Sequence, residues 1–243
     1  PGLVARLLRF CGPSCLTFML DIMAFSLFTL IVGRLGTIEL AATNLASHIN
    51  SLAFMPLIGS GIDVTTMVGQ RLGRNEPAAA EYCTWTGFHL GLLYTLLMAL
   101  AYIALPELFL EPFKAGARGE EFAAAYAIAI PLLRIVAIYC VFDSLYMTFT
   151  AALKGAGDTR FIMWVSVPLA WIFMVIPSFV AQNFFDAGIF LIWAFLCIYV
   201  VILALVFYFR FRQGKWKEMR VIEEGPIESG LEVATTAESG ENS

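Results

Sequence analysis

An all-α fold built of membrane-spanning helices is what this sequence predicts, and three observations carry the expectation. The 243 residues are 60% hydrophobic and only 14% charged, with a mean hydropathy of +0.80. Soluble domains carry about 25% charged residues. Apolar runs recur six times, each near the roughly 20 residues that a helix needs to cross the hydrocarbon core. The positive charges also alternate from loop to loop, as they do in polytopic chains.

The six expected spans cover residues 13–32, 44–68, 83–105, 125–153, 161–181 and 187–209. Residues 1–12 form a basic, partly apolar lead-in that lacks the pattern of a secretory signal. The first, fifth and sixth runs are the most uniformly apolar. The second holds Asn44, His48, Asn50 and Asp63, a polarity that argues for burial inside a bundle. Pro56, Gly59 and Gly61 interrupt it, and Pro131 and Pro168 interrupt two others. Broken backbone in a membrane is tolerated where protein or water covers it.

Orientation follows from Lys and Arg. Arg6, Arg9, Arg71, Arg74, Lys154, Arg160, Arg210, Arg212, Lys215, Lys217 and Arg220 fall on one side, eleven of the fifteen. Arg34, Lys114 and Arg118 fall on the other, and Arg134 lies within the fourth span. A multi-pass protein of the plasma (inner) membrane with both termini cytoplasmic is the expectation. The formal net charge of −4 belongs to the end of the chain, because residues 221–243 hold six Glu and no Lys or Arg. Residues 213–243 read as a disordered, acidic cytoplasmic tail. The five cysteines lack metal-site spacing. The basic residues rim one side of the membrane, as topology demands, so a nucleic-acid partner is not expected.

The chemistry points to acids within the spans. Asp21 and Asp143 lie inside apolar runs, where a charge costs on the order of 3 kcal/mol. Counting 1.5 Å per residue from the ends of their spans puts them at similar depth, about 12 and 15 Å from the cytoplasmic side. Tyr139 is one turn before Asp143 and shares its helix face. Asp21, Tyr139 and Asp143 are therefore candidates for holding a sodium ion or carrying a proton. Asn44, Ser47 and His48 share one face of the second span. Asn44 and His48, with Asp63, are candidates for a substrate path.

Three segments carry a family resemblance. Residues 41–76 read AATNLASHINSLAFMPLIGSGIDVTTMVGQRLGRNE, with a small-polar start, SLAFMP, a Gly-rich middle and VGQ-x-LG. Residues 151–160 read AALKGAGDTR, and residues 20–28 read LDIMAFSLF. In that order they resemble the C-terminal half of a multidrug and toxic compound extrusion (MATE) transporter, across roughly residues 11–212. The resemblance implies a polytopic six-helix lobe, helices seven to twelve of twelve, with a missing N-terminal six-helix lobe as partner. It implies a cation-coupled antiporter that exports organic cations through a cleft between lobes, driven by sodium or protons without any other cofactor. It places Asp21, Tyr139 and Asp143 on the family's cation site, with Asp21 where Glu is more usual.

Two other readings compete. A flippase of lipid-linked sugars from the same superfamily would want a basic cleft, and this chain supplies acids. Gly155-Ala156-Gly157-Asp158 spells the G-x-G-D of intramembrane aspartyl proteases, but Asp158 falls in a short loop between Lys154 and Arg160. A tight turn with Asp158 or Thr159 capping the next helix is the simpler account. No enzymatic activity is expected.

Overall fold

The computed structural model describes the backbone of residues 2–114, 120–185 and 188–218, and the side chains of 12–113, 122–183 and 188–217. Every described element is helical. The order is α1 (Gly2–Gly33), α2 (Thr37–Gly73), α3 (Pro77–Ala104), α4 (Pro106–Lys114), α5 (Glu120–Gly155), α6 (Thr159–Leu169), a π-helical segment (Ala170–Val175), α7 (Ile176–Phe185), α8 (Ile189–Arg212) and a 3-10 turn (Lys215–Glu218).

Among the described residues, six stretches are long and apolar enough to cross a membrane: Gly12–Gly33, Thr37–Gly73, Pro77–Ala104, Phe122–Gly155, Thr159–Asn183 and Ile189–Arg212. The helices run past the apolar cores that mark them in the sequence. The 37 residues of α2 make a rod of about 55 Å at 1.5 Å per residue, against a hydrocarbon thickness of about 30 Å. Residues 2–12, read as a lead-in, are the first turns of α1. Within the expected tail, Lys215–Glu218 form a 3-10 turn. The Trp216 ring is stacked on Phe211 at 4.8 Å, and its Nε1 donates to the Phe211 carbonyl at 2.9 Å. Lys217 pairs with Glu81 of α3. The 3-10 turn is thus a packed cap on the bundle, and most of the expected tail lies outside the described residues.

Even spans bring the start of α1 and the end of α8 to one side of the bundle, the terminal side. Two of its turns share a device. The α2–α3 turn reverses through Asn75 at φ 60°, with Glu76 N–H donating to Arg71 O at 2.9 Å. The α5–α6 turn reverses through Gly157 at φ 87°, with Asp158 N–H donating to Leu153 O at 2.9 Å. A left-handed residue after the last helical turn lets an otherwise orphaned carbonyl be satisfied, and Gly and Asn reach that conformation at least cost. Asp158 does not cap α6. Its Oδ2 instead accepts from Arg210 Nε at 2.9 Å, and the Arg210 guanidinium lies 4.3 Å from the Phe161 ring centre.

Helix α5 stands at the centre, against α2, α3 and α8. Its closest approach is to α2, where Gly61, Thr65 and Gly69 recur every four residues and face Ala151 and Gly155. A Cβ on Gly155 would stand 2.5 Å from the Thr65 carbonyl oxygen, and one on Gly69 3.4 Å from the Gly155 carbonyl oxygen. The Thr65 hydroxyl donates across to Ala151 O at 3.0 Å. Small residues at such spacing let helix backbones meet in lipid, where no hydrophobic force drives association. Helix α1 packs instead on α6, the π segment and α2.

The prolines behave differently. Pro56 has no N–H for the Leu52 carbonyl, and the Tyr94 hydroxyl of α3 donates to that carbonyl at 3.0 Å. Pro168 likewise leaves the helix short of a donor, and the following Ala170–Val175 turn widens into π geometry.

Gly155→Val is expected to cost the bundle about 1–3 kcal/mol through overpacking against backbone. Gly59→Ala serves as control, since a Cβ there meets nothing within 4 Å. Thermal unfolding in detergent reads the difference, and equal melting temperatures would contradict this helix contact.

Candidate functional site

Two apolar layers make up the core. The far-side layer contains Ala24, Phe28, Ile31 and Val32 of α1, Leu132, Leu133 and Val136 of α5, and Trp193 of α8. The terminal-side layer contains Val64 and Val68 of α2, Phe149 and Leu153 of α5, and Phe207 and Phe211 of α8. Tyr199 packs against both. On α5 the far-side layer ends near Cys140 and Phe142, and the terminal-side layer starts at Leu145. Between them sit Asp143 and Ser144, buried at 7% and 0% exposure. On α6 the buried Ser166 precedes Ala170, the first far-side residue of that span. On α1, Asp21 precedes Ala24. The bundle therefore has a polar waist at mid-depth.

Asp21 faces this waist. It belongs to the inward stripe of α1 formed with Thr17, Ala24, Phe28 and Ile31, spaced as one helical face. Its Oδ1 is buried with no hydrogen-bond partner, as are Ser144 Oγ and Ser166 Oγ. Buried polar atoms without a protein partner are few in folded proteins, and each calls for water, an ion or a function.

The acids share neighbours more than they share each other. Asp143 lies within electrostatic reach of Tyr139, Cys140, Tyr146 and Tyr199. Asp21 lies within reach of Tyr146, Lys154 and Tyr199. Tyr146 and Tyr199 thus stand in the field of both carboxylates. Tyr139 and Asp143 share a face, as their spacing implies. Lys154, in the last turn of α5, also lies within electrostatic reach of Asp21.

Tyr146 and Tyr199 were not singled out by sequence reasoning as site residues. Tyr146 carries a signal, being one turn from Asp143 on the same face. Tyr199 carries none, because α8 is uniformly apolar and its register against α5 is set by packing. Among the described residues no group of three or more His, Cys, Asp or Glu is placed to hold a metal ion.

The expected substrate-path residues sit elsewhere. Asn44, His48 and Asp63 lie on one exposed face of α2 with Ser51, Thr66 and Gln70, interleaved with Met55, Ile58 and Ile62. Asp63 makes no ion pair among the described residues. Burial inside the bundle, expected for the second span, holds for the opposite face alone. Asn50 is half-buried, and its Oδ1 accepts from Cys140 Sγ at 3.3 Å. The described cysteines are free thiols. Asp158 is ion-paired in a terminal-side turn, remote from the waist, which removes the geometry an aspartyl protease needs.

The family model described as MatE matches residues 13–180. Among curated proteins, the chain is 28% identical over 159 residues to the probable multidrug resistance protein NorM of Brucella suis biovar 1, covering 65% of this chain and 34% of that protein. NorM of Brucella melitensis biotype 1 matches to the same extent. Among solved structures, a MATE in complex with MaL6 superimposes with a TM-score of 0.80 at 17% identity, covering 90% of this chain and 48% of that one. The eukaryotic MATE transporter AtDTX14 gives 0.77 at 16%, covering 87% and 46%. The chain thus spans about a third of the length of these curated relatives and just under half of these solved structures.

The waist and the terminal-side turn make opposite predictions for acid removal. Asp143→Asn relieves a buried carboxylate that no protein cation neutralises, so the melting temperature in detergent is expected to stay level or rise, by up to about 1–3 kcal/mol of stability. Asp158→Ala leaves Arg210 without its partner and is expected to cost about 3 kcal/mol. A comparable loss in both variants would show Asp143 to be a structural tie.

Proposed function

This chain belongs to the MatE family, and on that premise we propose that it is one lobe of a two-lobe antiporter that exports organic cations in exchange for sodium ions or protons. The observation that carries the reading is the pair of acids at the waist, neither hydrogen-bonded to another side chain among the described residues and both in the field of Tyr146 and Tyr199. Two carboxylates in low dielectric resist being ionised together unless a cation arrives. Binding of a small cation then competes with binding of a cationic substrate, and the competition couples their fluxes. Tyr139, Tyr146 and Tyr199 supply oxygens that accept from a protonated acid or ligate sodium. Acids at mid-depth favour cations over the diphosphate of a lipid-linked sugar.

The exposed face of α2 supports the second part of the proposal. Asn44, His48, Asp63 and Gln70 are ill suited to acyl chains, and a six-helix partner lobe placed against them encloses a cleft. In this reading the terminal side is cytoplasmic and the transporter resides in the plasma membrane. The family assignment favours a transporter over an enzyme.

The test is accumulation of a fluorescent organic cation in cells expressing this lobe together with its partner lobe. Asp143→Asn and Asp21→Asn are each expected to abolish efflux, and Tyr146→Phe to reduce it about tenfold, the scale of 1.4 kcal/mol lost from cation binding. A sodium jump at fixed pH and a pH jump without sodium separate the two coupling ions. Efflux unchanged in both acid variants would overturn the proposal.

A further inference from the structure

We propose that the last turn of α8 forms a binding site for one anionic phospholipid. A surface pocket of about 390 Å³ opens there, lined by Tyr208, Phe209, Arg212 and Gln213. Its position matters, because residue 212 is where the sixth membrane-length helix ends. The apolar run of α8 gives way there to Arg210, Arg212 and Lys215, the composition expected at the boundary between acyl chains and headgroups.

Its lining is divided in the same way. Phe209 is 60% exposed and offers an apolar wall on the membrane side. Arg212 and Gln213 are exposed at the headgroup level. The guanidinium of Arg212 lies 6.0 Å from the centre of the Tyr208 ring, a range at which a cation is drawn to an aromatic face. Two other bases near this helix end are committed. Arg210 is bound to Asp158 and lies over Phe161, and Lys217 is bound to Glu81. Arg212 has no acidic partner among the described residues. The backbone then turns at Gly214, φ 73°, and Lys215 follows with an exposed side chain.

An anionic phospholipid satisfies each part. A guanidinium matches phosphate oxygens in a two-pronged arrangement. The Gln213 amide donates to the same phosphodiester or to a headgroup hydroxyl, and the proximal acyl chain lies along Phe209. A free phosphate would leave Phe209 idle, so the lipid is the occupant. Basic pockets of this kind at helix ends bind anionic headgroups.

Native mass spectrometry of the full chain in detergent, titrated with equimolar phosphatidylglycerol and phosphatidylcholine, tests the site. Phosphatidylglycerol adducts are expected to dominate. Arg212→Gln is expected to lower that preference about fivefold, and Phe209→Ser to lower retention of both lipids. Arg160→Gln, an exposed base outside the pocket, is expected to change neither. An unaltered preference in Arg212→Gln, unaltered retention in Phe209→Ser, an equal loss in Arg160→Gln, or displacement of the lipid by excess inorganic phosphate would each overturn the assignment. The outcome is independent of transport, because cation coupling plays no part in it.

Discussion

Everything at the centre of this bundle depends on how closely α2 and α5 approach. Gly61, Thr65 and Gly69 on one helix and Ala151 and Gly155 on the other leave no side-chain layer between the backbones. In lipid, apolar side chains gain little by leaving the solvent, so close packing and hydrogen bonds have to hold helices together. With α5 pinned to α2 on one side and packed on α3 and α8 on the others, its mid-section is fixed in depth and rotation. That mid-section carries Tyr139, Asp143, Ser144 and Tyr146.

The waist follows from the same constraint. Large apolar residues fill the layers above and below it, from Phe28 and Trp193 on the far side to Phe149, Phe207 and Trp216 on the terminal side. Between them the helices present small or polar groups: Gly91 and Thr95 on α3, Ser144 and Thr148 on α5, Ser166 on α6. Ser144 Oγ and Ser166 Oγ have no partner among the described residues, while Thr95 donates within its own helix, to Gly91 O at 3.0 Å. Asp21 and Asp143 cannot do that. Neither makes a side-chain hydrogen bond among the described residues, and Lys154 is the cation within reach of Asp21.

The terminal side is locked, and the span beside α1 is not. The Arg210–Asp158 pair, the Phe211–Trp216 stack and the Lys217–Glu81 pair tie α8 to the α5–α6 turn and to α3. By contrast α6, the π segment and α7 form one span whose middle departs from α geometry just after Pro168. π-helical turns recur at functional sites in helices, and this one packs against α1, which bears Asp21.

The sequence by itself determined the number of membrane-length helices, the family, and the presence of acids where lipid would otherwise be, because hydropathy and motif are local properties of the chain. It also marked the turn at Gly157 and the Tyr139–Asp143 face, each set by a few neighbouring residues. The tertiary structure alone decided which groups share the waist with the acids. Tyr199 and Ser166 come from helices whose register against α5 depends on packing. It also decided that Asp158 serves an ion pair rather than a helix cap, and that Asp63 faces outward. Those outcomes require partners more than fifty residues away, or a neighbouring surface, and no local pattern encodes them.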